Sequence, residues 1–105
     1  MAKSIAIINN LVYKFLDKIR EQDIKIDSAY LFGSYAKGKE NEWSDIDIAI
    51  ISQSFTEDRF EERVRLTLMS YEIDSRIEPV PFRPENFVDE DPLAYEIKRT
   101  GFLLV

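Results

Sequence analysis

Apolar residues recur along the first twenty positions at helical spacing: Ile5, Ile8, Leu11-Val12, Phe15 and Ile19. That spacing gathers them on one face of an amphipathic helix. Ile24 and Ile26 lead into a continuous run, Ala29-Tyr30-Leu31-Phe32, which stops at Gly33-Ser34. A short apolar run closed by a turn signal reads as a strand. A second strand runs from about Asp45 to Ile51, with Ile46, Ile48 and Ile50 on its core side. Ser54 or Thr56 is placed to cap the next helix, with Glu57 and Asp58 in its first turn, where acids are favoured. Phe60, Val64, Leu68 and Tyr71 share one face of that helix. Alternation from Ile73 to Val80 predicts a third strand. Asp91-Pro92 reads as an N-cap with proline at the first helical position, and Gly101, after Lys98 and Arg99, as the stop. The apolar tail from Phe102 to Val105 is either a last strand or a docking segment. Helices interleaved with strands predict an α+β fold, a small mixed sheet with helices packed on it.

Composition narrows the chemistry. The 105 residues are expected to form one domain, 1–105. No repeat, linker or low-complexity segment interrupts them. No apolar stretch approaches the ~18 residues of a membrane span, and the start of the chain lacks the apolar block of a secretory signal. The cytoplasm is the expected compartment. There is no cysteine and no histidine. Disulfides, thiolate nucleophiles and the commonest general base are therefore excluded. Catalysis must rest on carboxylates, hydroxyls, lysines, arginines and a hard cation. The net charge is −6 and the pI about 4.7, so the composition offers no basic surface to displace counterions from nucleic acid. Direct nucleic-acid binding is not expected, and self-association is left open.

Gly33-Ser34 and, after ten residues, Asp45-Ile46-Asp47 form the candidate site. Residues i and i+2 of a strand point the same way, which sets the Asp45 and Asp47 Cβ atoms roughly 6–7 Å apart on one face. Two such carboxylates can converge on one cation or flank a pair. Mg²⁺ is the expected ion, because it takes oxygen ligands and shares them with phosphates. Gly33 lets the backbone approach a phosphate closely. Ser34 adds a hydroxyl and an N–H where a helical turn would begin. Lys37, Lys39, Arg76 and Arg83 are the nearby cations able to neutralise a triphosphate. Trp43 could stack on a base or pack under the loop. Tyr30, Tyr35, Tyr71 and Tyr95 are read as packing aromatics.

The pattern Gly33-Ser34-x-Ala36-x-Gly38 followed by Ser44-Asp45-x-Asp47 resembles the signature of the DNA polymerase beta-like nucleotidyltransferase superfamily, and within it the minimal nucleotidyltransferases. The resemblance implies a palm-like α+β core, a nucleoside triphosphate such as ATP at the Gly33-Ser34 turn, and a cation on Asp45 and Asp47. It implies Lys37 as the basic residue of the motif. It also implies a third carboxylate on the adjacent strand, acting as base or metal ligand. Asp74, Arg76 and Glu78 alternate onto one face; Glu78 is the first choice, because it sits mid-strand between Ile77 and Val80, and Asp74 the second. The family usually carries Asp at that place, and an ion pair with Arg76 or another cation is the bland alternative for Glu78. Minimal nucleotidyltransferases commonly pair with HEPN-domain proteins in toxin–antitoxin modules, transferring AMP to a tyrosine of the toxin. The expected function is therefore Mg²⁺-dependent transfer of AMP from ATP to a hydroxyl of a HEPN-type toxin. A non-catalytic binding antitoxin and a small-molecule nucleotidyltransferase of the antibiotic-modifying type are the alternatives.

Overall fold

The computed structural model describes residues 2–38 and 44–105, with side chains described from residue 8 onward in the first helix. Lys39, Trp43 and the side chain of Ile5 lie outside the described residues. The chain runs through α1 (Ala2–Glu21), β1 (Ser28–Phe32), β2 (Ile46–Ile51), α2 (Arg59–Ser70), β3 (Ile77–Phe82), a 3₁₀ turn (Pro84–Asn86), α3 (Pro92–Thr100) and β4 (Phe102–Leu103). The strands form one sheet in the order β3-β2-β1-β4. β1 is antiparallel to both its neighbours, whereas β2 and β3 run parallel. A parallel pair needs a crossover, and α2 supplies it. The expected mixed α+β sheet is the fold observed.

Each face of the sheet carries its own core. The isoleucines of β2 at 46, 48 and 50 are fully buried on one face, against Val12, Phe15 and Ile19 of α1 and Leu66 of α2. On the other face Ala49, Ile51 and Phe82 pack against Ala94 and Ile97 of α3. With both faces covered, β2 reads as a nearly unbroken apolar run. Asp47 is its one residue that is not fully buried. β3 is an edge strand carrying Pro79 and Pro81. Proline cannot donate to a ladder, which discourages a further strand from adding there.

Three sequence expectations need correction. The cap of α2 is Asp58, whose carboxylate accepts from the Glu61 N–H at 3.0 Å. Ser54 instead accepts from the Lys25 N–H, and Thr56 Oγ1 accepts from the Asp58 N–H. Phe60, Val64, Leu68 and Tyr71 do share a face, but it is the outer one; Leu66, Ser70 and Glu62 turn inward. Glu62 is 4% exposed yet satisfied, accepting from the Thr56 N–H at 2.7 Å and pairing with Arg65. β3 begins at Ile77, so Asp74 and Arg76 lie in the preceding turn and not in the strand. Of the four tyrosines, Tyr35 is buried and Tyr30 half-buried against Phe87, while Tyr71 and Tyr95 are exposed. The tail is strand and anchor together. β4 pairs with β1, and Leu104 and Val105 exchange hydrogen bonds with Ala29. No helix is long and apolar enough to cross a membrane, among the described residues.

Candidate active site

β1 ends at Phe32, whose register partner is Asp47, and the chain then leaves the sheet through the turn at Gly33. Gly33 has φ +74°, a conformation that favours glycine. A side chain there would also strike the Asp47 carboxylate, since a Cβ built on Gly33 overlaps Asp47 Oδ2. Gly33 therefore makes room for the acid as well as bending the chain. The Lys37 N–H donates to Gly33 O at 3.1 Å and closes the turn, with Ser34 half-buried inside it. Lys37 Nζ reaches across to Glu96 Oε1 of α3 at 3.2 Å. Both partners are well exposed, and such pairs contribute little. The ammonium can exchange Glu96 for a phosphate at small cost.

The parallel register sets Glu78 of β3 directly beside Asp47 of β2. Adjacent strands lie about 4.8 Å apart. Asp45 stands two residues before Asp47, exposed at the mouth of the strand. Turn, Asp45, Asp47 and Glu78 thus meet at one end of the sheet. Asp74 does not join them. Its carboxylate is held by Arg76, through Nε at 3.1 Å, Nη2 at 3.0 Å and the backbone N–H at 2.8 Å. That charge-assisted bonding keeps the Asp74 carboxyl below its ordinary range and the Arg76 guanidinium above its own. Arg83 is likewise engaged elsewhere, with Glu85 at 3.1 Å and Glu57 at 3.9 Å.

Electrostatics single out Asp47. Burial pushes its carboxyl above the ordinary aspartate range, and the negative charges of Asp45 and Glu78 push it further. The opposing influence is Arg63, a residue the sequence reading passed over. Arg63 extends from α2 to place Nη2 3.7 Å from Glu78 Oε2. Nothing in its spacing announces this, because it is one of three arginines on α2 and only the packing of α2 beside β3 selects it. Among the described residues, no three His, Cys, Asp or Glu side chains stand close enough together to hold one ion. A partly desolvated carboxylate among like charges, opposed by one loosely placed guanidinium, still leaves negative charge for a cation to offset.

Residues 12–100 match the family model of the nucleotidyltransferase domain. The chain belongs to the nucleotidyltransferase family. Among solved structures, a nucleotidyltransferase-like protein of Sulfolobus solfataricus superposes with a TM-score of 0.70 at 18% identity, over 97% of this chain and 83% of that one. A toxin–antitoxin structure with AMP-PNP gives a TM-score of 0.68 at 26% identity, over 92% and 72%. A mutant of the toxin–antitoxin MntA-HpeT gives 0.65 at 26% identity, over 89% and 70%. No curated protein is significantly similar to the chain.

Proposed function

We propose that this chain transfers a nucleoside monophosphate, AMP from ATP, to a hydroxyl of a partner protein, and serves in the cytoplasm as antitoxin to a HEPN-type toxin. The observation that carries the chemistry is the meeting of the Gly33 turn with Asp45, Asp47 and Glu78 in a nucleotidyltransferase family member. Support for the partner comes from toxin–antitoxin structures at 26% identity, one of them with AMP-PNP.

Asp45 and Asp47 would hold Mg²⁺, an ion that one or two carboxylates suffice to bind beside phosphates. Mg²⁺ supplies charge neutralisation of the phosphates and a lowered pKa for a bound hydroxyl. The turn at Gly33-Ser34 receives the phosphates against backbone, and Lys37 leaves Glu96 to meet them. Glu78, beside Asp47 in the register, would accept the acceptor's proton. The acceptor oxygen bonds to the α-phosphorus, and the bond from that phosphorus to the bridging oxygen breaks. Pyrophosphate leaves with the electron pair. No covalent enzyme intermediate is needed, which suits a chain without Cys or His.

The test is to purify the chain with the protein encoded by the adjacent gene and add α-labelled ATP with Mg²⁺. Label on the partner protein, lost without Mg²⁺, is expected. Label confined to small molecules, or a tight complex with no transfer under any triphosphate, overturns the reading.

A further inference from the structure

Lys37 and Glu96 join the Gly33 turn to α3. α3 lies on the Asp47 side of the sheet. Asp47, Ala49 and Ile51 alternate onto one face of β2, and Ala49 and Ile51 pack against Ala94 and Ile97 of α3. The C-terminal end of α3 reaches β1 just before the turn, since a Cβ built on Gly101 would stand 3.2 Å from Leu31 O. Glu96 therefore belongs to the helix that flanks the site end of the sheet. Its bond with Lys37, 3.2 Å from Nζ to Oε1, is the one bond that either charged group makes among the described residues. The two side chains are 42% and 53% exposed.

We infer that Glu96 competes with the triphosphate for Lys37, and so limits how tightly the site holds the phosphates. The inference rests on the reading that the Gly33 turn takes a nucleoside triphosphate. Asp74 shows what a fixed ion pair looks like in this chain, holding Arg76 through three bonds. Lys37 is held by one, with both partners half in water. A lysine ammonium is a compact charge on a flexible stem. It can turn from the carboxylate to a phosphate by rotating that stem, without moving the backbone.

That exchange has a cost for the ligand. It breaks the ion pair, and it leaves the Glu96 carboxylate unpaired beside the phosphates that took its partner. Like charges at such a distance oppose each other. A carboxylate that steadied the ammonium for the ligand would need to be fixed itself. Glu96 is exposed and has no second side-chain bond among the described residues, so its charge works against the phosphates. It acts on binding through Lys37 and is not one of the acids placed for the cation.

Calorimetry of ATP with Mg²⁺ tests this without any transfer. Glu96→Gln keeps the side chain's size and removes its charge. It should bind ATP about 3-fold tighter or more, the scale of one half-exposed ion pair. Lys37→Met should bind more weakly than wild type. Adding Glu96→Gln to Lys37→Met should recover less than Glu96→Gln gains when Lys37 is present, because groups that share an interaction do not act independently. Glu72→Gln is the control. It removes the same charge from a 3.1 Å pair with Lys18 of α1 and should bind as wild type does. Unchanged or weaker binding in Glu96→Gln, beside a wild type that binds, overturns the inference and leaves the nucleotide reading standing. An equal gain in Glu72→Gln overturns it too, because net charge alone would then explain the tightening. So does a gain from Glu96→Gln that is as large without Lys37, since the carboxylate would then act on the phosphates through space. If neither wild type nor Glu96→Gln binds ATP, the nucleotide reading itself fails and takes the inference with it.

Discussion

Asp47 is held at a cost to the fold. Burial and the charges of Asp45 and Glu78 raise its pKa in the folded state above the unfolded value. A raised pKa means the folded chain binds the proton more tightly, so this contribution favours folding at low pH and is lost as pH rises through the folded pKa. Asp47→Asn should therefore abolish transfer while raising the melting midpoint at neutral pH by a few degrees, the scale on which about 1 kcal/mol moves a domain of this size. The gain should vanish as the pH falls through the folded pKa, where Asp47 itself becomes neutral. Thermal melts of both proteins across pH check this. An unaltered transfer rate would place the chemistry elsewhere.

Glu78 and Asp74 separate at the same scale. Glu78→Gln should keep partner binding and lose transfer by roughly 10²–10⁴-fold, the usual range for an acid–base group. Asp74 serves Arg76 instead, and bonding to Arg76 lowers its pKa. Its stabilising contribution is present above the unfolded pKa and is lost as pH falls through the folded one. Asp74→Asn should keep transfer within a few-fold and melt lower at neutral pH, the difference narrowing in acid. Transfer surviving in Glu78→Gln and lost in Asp74→Asn would reverse the assignment.

The turn between β1 and β2 shows what an element can demand of one residue. Gly33 and Gly38 both have positive φ, at +74° and +69°. A Cβ on Gly33 meets the Asp47 carboxylate, while one on Gly38 meets nothing within 4 Å. Gly38→Ala should thus cost only the strained backbone, about 1 kcal/mol. Gly33→Ala carries the same backbone strain and also displaces Asp47. It should lose Mg²⁺-dependent ATP binding, measured by calorimetry, while Gly38→Ala retains it. Equal ATP affinity in the two variants would show that the turn only connects. α2 makes the complementary point. Its apolar spacing is helical on two sides, Phe60–Val64–Leu68 and Leu66–Met69, and only the second contributes to the core.

For the whole molecule, the sheet is a platform whose two faces are packed and whose end is charged. A ligand that binds only the folded chain stabilises it by mass action, about 2.7 kcal/mol at a hundred times its Kd. ATP with Mg²⁺ should raise the midpoint accordingly, ATP with chelator should not, and Asp45→Asn should erase the shift. A shift that persists with chelator would mean the phosphates are held by Lys37 and the turn without a cation.

Local chemistry made much of this protein legible in its sequence. The helical spacing of Ile8, Val12, Phe15 and Ile19, the alternating isoleucines beside Asp45 and Asp47, and the Asp91-Pro92 start with the Gly101 stop all appear where expected. Each depends on residues within a few positions of one another, where propensity and periodicity act directly. Three things depended on contacts between distant segments. The β2–β3 register decides that Glu78, and not Asp74, stands beside Asp47. The packing of α2 decides which of its two stripes is buried. That same packing carries Arg63 to Glu78. Periodicity defines a helix and its faces but not the face that meets the sheet. That choice belongs to the crossover between β2 and β3 and to the cores on either side of them.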